Sequence, residues 1–155
     1  MKYLVIKTFW FFATPLRKIY WFIFRPHTRG VKCLIEHNGK FLFIKLNYAH
    51  KKWTVPGGAV KREESFINAA VRETKEETGI DVIDPVLIGS YESNTEYKKD
   101  IVEVFLGNHD KLDVKVDPIE IQESRWFHRN ELPEDRSSSV DKIFKFYDKY
   151  RSIKN

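Results

Sequence analysis

The dipeptide Asn38-Gly39 constrains this chain more than any other local feature. It stands between two strand-like alternations, 31–37 and Lys40–Leu46, and both residues tolerate the positive φ angles of a type I′ turn, so the two runs are expected to form an antiparallel hairpin. A turn-rich stretch, Pro56-Gly57-Gly58, leads into a helical pattern over 65–78 that Gly79 should stop as a left-handed cap. Further strand-like runs follow at 86–91, 101–106 and near 120–127, and Val140, Ile143, Phe144, Tyr147 and Tyr150 mark a C-terminal amphipathic helix. The order predicts a mixed α/β fold, with the polar stretches 92–100 and 108–117 as loops. A chain of 155 residues has room for one domain, and its 12 Phe, 7 Tyr and 4 Trp exclude a disordered or low-complexity chain. The lone cysteine, Cys33, can make neither an intramolecular disulfide nor a thiolate cluster, which fits a reducing, cytoplasmic setting; its apolar strand context makes it a core residue.

The net charge of +5 is unevenly distributed. Residues 1–35 hold Lys2, Lys7, Arg17, Lys18, Arg25, Arg29 and Lys32 and no acid, so the remaining 120 residues carry a net −2. On charge the body is no nucleic-acid platform, since such proteins concentrate Lys and Arg on one face. Residues 1–26 form a basic, aromatic arm ahead of a domain spanning 27–155. Its longest uncharged run, 8–16, is far short of the roughly 18–20 apolar residues that cross a bilayer. Val5, Phe9, Phe12, Leu16, Ile19 and Ile23 instead recur at helical spacing, interrupted at Pro15 and ended by Pro26. Such an arm suits either peripheral contact with an anionic membrane or packing on the body or on a second subunit.

Within the helical pattern, Ile67, Ala70, Val71 and Thr74 are expected on the buried side, while Glu73, Glu76 and Glu77 stand at i, i+3 and i+4 and share a face. Like charges at that spacing repel, and a divalent cation would relieve the repulsion; an all-oxygen donor set suits Mg²⁺ or Mn²⁺. On periodicity alone, a solvated charged face is the favoured reading.

The wider spacing separates the two. Gly58, five residues, Glu64, seven residues, Arg72-Glu73, then Thr74, Lys75, Glu76-Glu77, Thr78, Gly79 and Ile80 resembles, without a gap, the Nudix box of the Nudix hydrolases. Thr74 departs from the aliphatic residue usual there. The resemblance extends from Val31 through the lead-in Trp53-Thr54-Val55-Pro56-Gly57-Gly58 to Arg125-Trp126-Phe127 and Glu131-Leu132-Pro133; residues 1–26 lie outside it. It implies a Nudix-like α/β/α sandwich with a mixed β-sheet, preceded here by the helical arm, and hydrolysis of the pyrophosphate bond of a nucleoside diphosphate linked to another moiety, with Mg²⁺ or Mn²⁺.

Carried residue by residue, the resemblance makes Glu73, Glu76 and Glu77 metal ligands together with the carbonyl of Gly57, and makes Glu64 and Arg72 the pair that fastens the loop to the helix, with Gly58 at the tight turn. An acid outside the box often completes such sites; Glu120, six residues before Trp126, is the candidate, with Glu73, Glu76 and Glu120 the catalytic carboxylates. Tyr48 and Trp53 flank the entrance and could stack on a base, although core packing is the favoured reading of both, and His50 beside them is a candidate substrate contact. The expected partner is a small nucleotide derivative rather than nucleic acid. Two alternatives share the sequence: a catalytically silent ligand-sensing or interaction module, and an enzyme acting on RNA 5′ ends.

Overall fold

The computed structural model describes residues 27–47, 52–93 and 99–154. Six strands, two α-helices and a short 3-10 turn at Arg129–Glu131 lie among them: β1 (His27–His37), β2 (Lys40–Leu46), β3 (Trp53–Thr54), α1 (Phe66–Thr78), β4 (Val86–Ser93), β5 (Lys99–Asn108), β6 (Ile121–His128) and α2 (Ser138–Lys154). Asn38 and Gly39 join β1 to β2 with φ of 48° and 75°, the two positive angles expected of this turn. The arm and residues 48–51, which include Tyr48 and His50, lie outside the described residues.

The strands form one sheet ordered β3-β2-β1-β5-β4, with β6 also paired to β2. β1 and β5 run parallel from His27↔Lys99 to Glu36↔Asn108, and the other ladders are antiparallel, so the sheet is mixed as expected. β1 begins four residues before the sequence pattern suggested. β5 supplies backbone partners there, so Thr28, Arg29 and Gly30 extend as strand without an apolar alternation of their own. Glu92, Ser93 and Asp100, read from sequence as loop, likewise belong to the β4–β5 ladder, and Lys99, read the same way, pairs with His27 of β1.

Alternation along the strands divides the core in two. Leu34, Phe41, Phe43, Trp53, Val55, Val104 and Leu106 pack against Val140, Ile143 and Phe144 of α2. On the opposite face Val31, Cys33, Ile35, Leu42 and Phe105 pack against Ala69 and Ala70 of α1 and against Ile80 and Val82. The sheet is thus sandwiched between α1 and α2. Burial pushes the Cys33 thiol up to about 12, which leaves it protonated and inert at neutral pH. No helix among the described residues is long and apolar enough to cross a membrane.

Local chemistry sets the ends of α1. The Ser65 hydroxyl accepts from the Asn68 N–H at 3.2 Å, and Gly79, at φ 72°, donates its N–H to the Lys75 carbonyl at 2.9 Å. The buried face differs from the sequence reading: Ala69, Ala70, Thr74, Glu77 and Thr78 turn inward, while Ile67 is 42% exposed. Small alanines let the helix lie close on β1, and that close seat rotates the carboxylate of Glu77 into the fold.

Candidate active site

Two irregular strips of backbone place the site at one end of α1. The first, 56–60, runs antiparallel along β1: Val31 donates to the Gly58 carbonyl, Cys33 to that of Pro56, and Val60 to that of Arg29, all at 2.9 Å. Alternation turns the intervening Gly57 toward the helix. Its φ is 140°, and a Cβ there would stand 2.2 Å from the Val31 carbonyl oxygen, so no other residue fits. The second strip, 115–120, is tied to the C-terminal turn of α1, Lys115 donating to the Thr78 carbonyl at 2.9 Å and Asp117 to that of Glu77 at 3.3 Å. Asn47 fixes its other end through Pro118, Ile119 and Glu120 carbonyls at 2.8–3.1 Å.

Arg72 is the centre of a charged cluster between the first strip and the helix. Its Nε and Nη2 each donate to Glu64 at 2.8 Å in a two-pronged ion pair, and Nη2 also donates to the Ala59 carbonyl at 3.1 Å. Nη1 donates to Glu73 at 2.7 Å and to Glu76 at 3.1 Å. Glu64 also accepts from the Lys61 N–H at 3.0 Å, and the Arg72 guanidinium, with that N–H, holds its carboxyl at about 2. The Glu73 carboxylate lies against Gly58, where an added Cβ would meet it at 2.4 Å.

Glu77 is the unusual member. It is 2% exposed, and its Oε2 accepts from the Gly57 N–H at 2.8 Å. Burial raises its carboxyl to about 7; Lys32 and the Gly57 N–H oppose that rise, and the charges of Glu73 and Glu120 add to it. Lys32, which the sequence reading counted only among the basic residues of 1–35, is a partly buried lysine whose ammonium donates to the Val55 carbonyl at 3.1 Å. Burial lowers its pKa, against the favourable charges of Glu77 and Glu73. A basic residue interrupting the apolar run 31–35 was the available signal. Glu120 sits exposed just before β6; partial desolvation and the charges of Asp117, Glu73 and Glu76 raise its carboxyl.

The fold therefore gathers Gly57, Gly58, Glu64, Arg72, Glu73, Glu76 and Glu77, with Glu120 within electrostatic reach. It does not bring Trp53 to them. Trp53 is 4% exposed in the core on the α2 side, edge-on to Phe127 with centroids 5.1 Å apart, because β3 pairing with β2 turns its ring inward. The base-contact role considered for Trp53 is thereby corrected to the core packing that the sequence reading favoured.

The donor set fits a hard divalent ion in its chemistry: several carboxylates, one of them buried with a raised pKa, beside a glycine backbone strip too close for side chains. In geometry, Glu73 and Glu76 are turned onto Arg72, and no three acidic or imidazole groups among the described residues stand converged as metal ligands.

A profile of the NUDIX domain matches residues 26–148. Phosphatase NudJ of Escherichia coli is 39% identical over 59 residues, covering 37% of this chain and 38% of that protein, so the chain spans about two fifths of the length of the curated relatives it matches. Among solved structures, a MutT protein from Methanosarcina mazei Go1 superposes with a TM-score of 0.74 at 29% identity, covering 83% of this chain and 97% of the other. A MutT NUDIX hydrolase from Burkholderia pseudomallei gives 0.70 at 23% identity over 77% and 96%.

Proposed function

The chain belongs to the NUDIX family, and from that premise we propose that it hydrolyses the pyrophosphate bond of a nucleoside diphosphate linked to another moiety, using Mg²⁺ or Mn²⁺. The observation that carries the reading is Glu77: a carboxylate 2% exposed, pinned by the Gly57 N–H beside Glu73 and Glu120, is costly to keep charged in a fold that gains nothing from it.

Glu73, Glu76 and Glu77, with the Gly57 carbonyl and Glu120, would hold the metal. When bound, the ion neutralises the diphosphate and acidifies the attacking water. Everything else is the work of the chain. The Gly57 N–H fixes one oxygen of Glu77, and the charges of Lys32, Glu73 and Glu120 act on the same carboxylate. Arg72 holds Glu73 and Glu76 in place through its Nη1, while its grip on Glu64 keeps the 56–60 strip against the helix. Glu120, exposed at the rim on a strip tied to α1, takes the proton from water attacking phosphorus. The mildly acidic body suits a small nucleotide derivative better than a nucleic acid.

The test is a panel of nucleoside triphosphates, nucleotide sugars, dinucleotides and capped RNA, assayed with each metal for wild type, Glu76→Gln and Glu77→Gln. Metal-dependent release of phosphate-containing product by wild type, lost in both variants, is expected. Absence of turnover on every compound, with the fold intact, would favour the silent module.

A further inference from the structure

The face of the sheet that carries α1 is only partly covered. α1 packs over β1, and the residues packed with it reach β5 at Phe105. Beyond that point the register places Leu87, Ser90 and Glu92 of β4 beside Phe105, Glu103 and Ile101 of β5, on the same side. Leu87 is 51% exposed and Ile101 49% exposed. The strip is continuous with Arg29, which lies beside Ile101 across the parallel ladder and sits over the Phe66 ring at 5.3 Å. It is apolar at two positions and acidic at two, Glu92 and Glu103.

The chain enters the fold at the end of this strip. β1 starts at His27, opposite Lys99 and two positions before the Arg29↔Ile101 pair. The residues just before it are Trp21, Phe22, Ile23, Phe24, Arg25 and Pro26, and residues 1–26 hold Lys2, Lys7, Arg17, Lys18 and Arg25 with no acid. The segment is thus complementary in both respects, aromatic where the strip is apolar and cationic where it is acidic. From Ile101 to the Leu87↔Phe105 pair is four strand residues, roughly 13 Å, a span that two to three helical turns or a few extended residues cover.

We propose that residues 1–26 dock on this strip of their own chain, seating aromatic side chains on Leu87 and Ile101 and directing Lys and Arg toward Glu92 and Glu103. Burial of apolar surface supplies most of the attraction, since exposed ion pairs contribute little. The docked segment covers an outer part of this face of the sheet that α1 does not reach.

The test uses the full chain. Wild type and the double variant Leu87→Lys/Ile101→Lys, both half-exposed positions, are digested briefly with trypsin after circular dichroism has established equal folding. Cleavage after Lys7, Arg17 and Lys18 is expected to be about tenfold faster or more in the double variant, because cutting tracks the population of the undocked segment. Independently, Trp21→Cys, Phe22→Cys and Phe24→Cys are each paired with Ile101→Cys and oxidised mildly; at least one pair should give a cross-link within a single chain, with Cys33 buried and uninvolved. Equal cleavage rates with no internal cross-link overturn the proposal. Protection that rises with protein concentration, with cross-linked dimers, assigns the strip to a second copy and also overturns it. So does a segment cut freely in solution and protected only by phosphatidylserine-containing vesicles.

Discussion

The backbone N–H of Gly57 donates to Oε2 of Glu77 across 2.8 Å, joining the tightest point of the loop to the most deeply buried acid of α1. The fold raises that carboxyl from 4.5 to about 7, so it binds its proton more tightly folded than unfolded. The metal-free protein should therefore lose stability as pH climbs from 4.5 to about 7 and lose no more above that. Glu77→Gln keeps an acceptor for the Gly57 N–H but removes the buried charge. We expect its metal-free melting temperature at pH 8 to exceed that of wild type, while turnover falls by about a hundredfold or more if Glu77 holds the metal as proposed. Calorimetric melts at several pH values, alongside steady-state assays, check both halves.

Gly57 and Gly39 both have positive φ, yet substitution should treat them differently. Alanine at Gly57 meets the Val31 carbonyl oxygen at 2.2 Å and the Lys32 Cα at 2.9 Å, both backbone atoms that cannot swing away. Gly57→Ala should cost at least about 3 kcal/mol, combining the strained φ with displacement of the strip from β1. Gly39→Ala, at φ 75° with nothing within 4 Å, should cost about 1–2 kcal/mol. Urea unfolding of the two variants measures the contrast, and equal losses would show that the close approach to β1 carries no weight.

The Glu64–Arg72 pair makes a prediction at acid pH. Glu64 titrates at about 2 folded against 4.5 unfolded, chiefly because Arg72 hydrogen-bonds its charged form. A depressed carboxylate stabilises the fold above the unfolded value, and that contribution drains away as pH falls from 4.5 toward 2. Glu64→Gln should lower stability at pH 7 and flatten the dependence across this window, so the two proteins converge near pH 2. Denaturant midpoints at pH 7, 4 and 2.5 distinguish this from a pH-independent deficit.

What could be read from sequence was what depends on neighbours in sequence. The Asn38-Gly39 turn and the Gly79 stop are decided by φ preference, and each appears where expected; the helix, expected over 65–78, starts where one short hydrogen bond to the Ser65 hydroxyl caps it. The spacing of the acids brought Glu64, Arg72, Glu73, Glu76 and Glu77 onto one helix and loop. Features set by distant pairing were hidden. β1 reaches back to His27 because β5 runs beside it, and Trp53 turns inward because β3 joins β2. The spacing fixed attention on Gly58, whereas the φ of 140° and the backbone clash belong to Gly57, a distinction that arises only once 56–60 is laid along β1. Ile67 and Ala69 exchange places for a similar reason: the sheet accepts the helix along its small residues.

Lys32 gives the sharpest instance, since nothing in a run of Val, Lys, Cys, Leu and Ile says which distant acid its ammonium meets. The ammonium, held on the Val55 carbonyl, opposes the rise of the Glu77 carboxyl that burial causes. Removing it with Lys32→Met keeps most of the apolar stem and deletes the charge. The Glu77 carboxyl of the metal-free variant should then titrate above its wild-type value of about 7, which carbon-13 NMR of glutamate side chains reads directly. Deleting the ammonium also removes its repulsion of a bound dication, which outweighs the extra proton to be displaced because Mn²⁺ carries two charges, so Mn²⁺ should bind the variant at least as tightly as wild type at neutral and at alkaline pH. Titration of Mn²⁺ at both pH values tests this; a variant with the wild-type Glu77 titration would mean that Lys32 only braces the Val55 backbone.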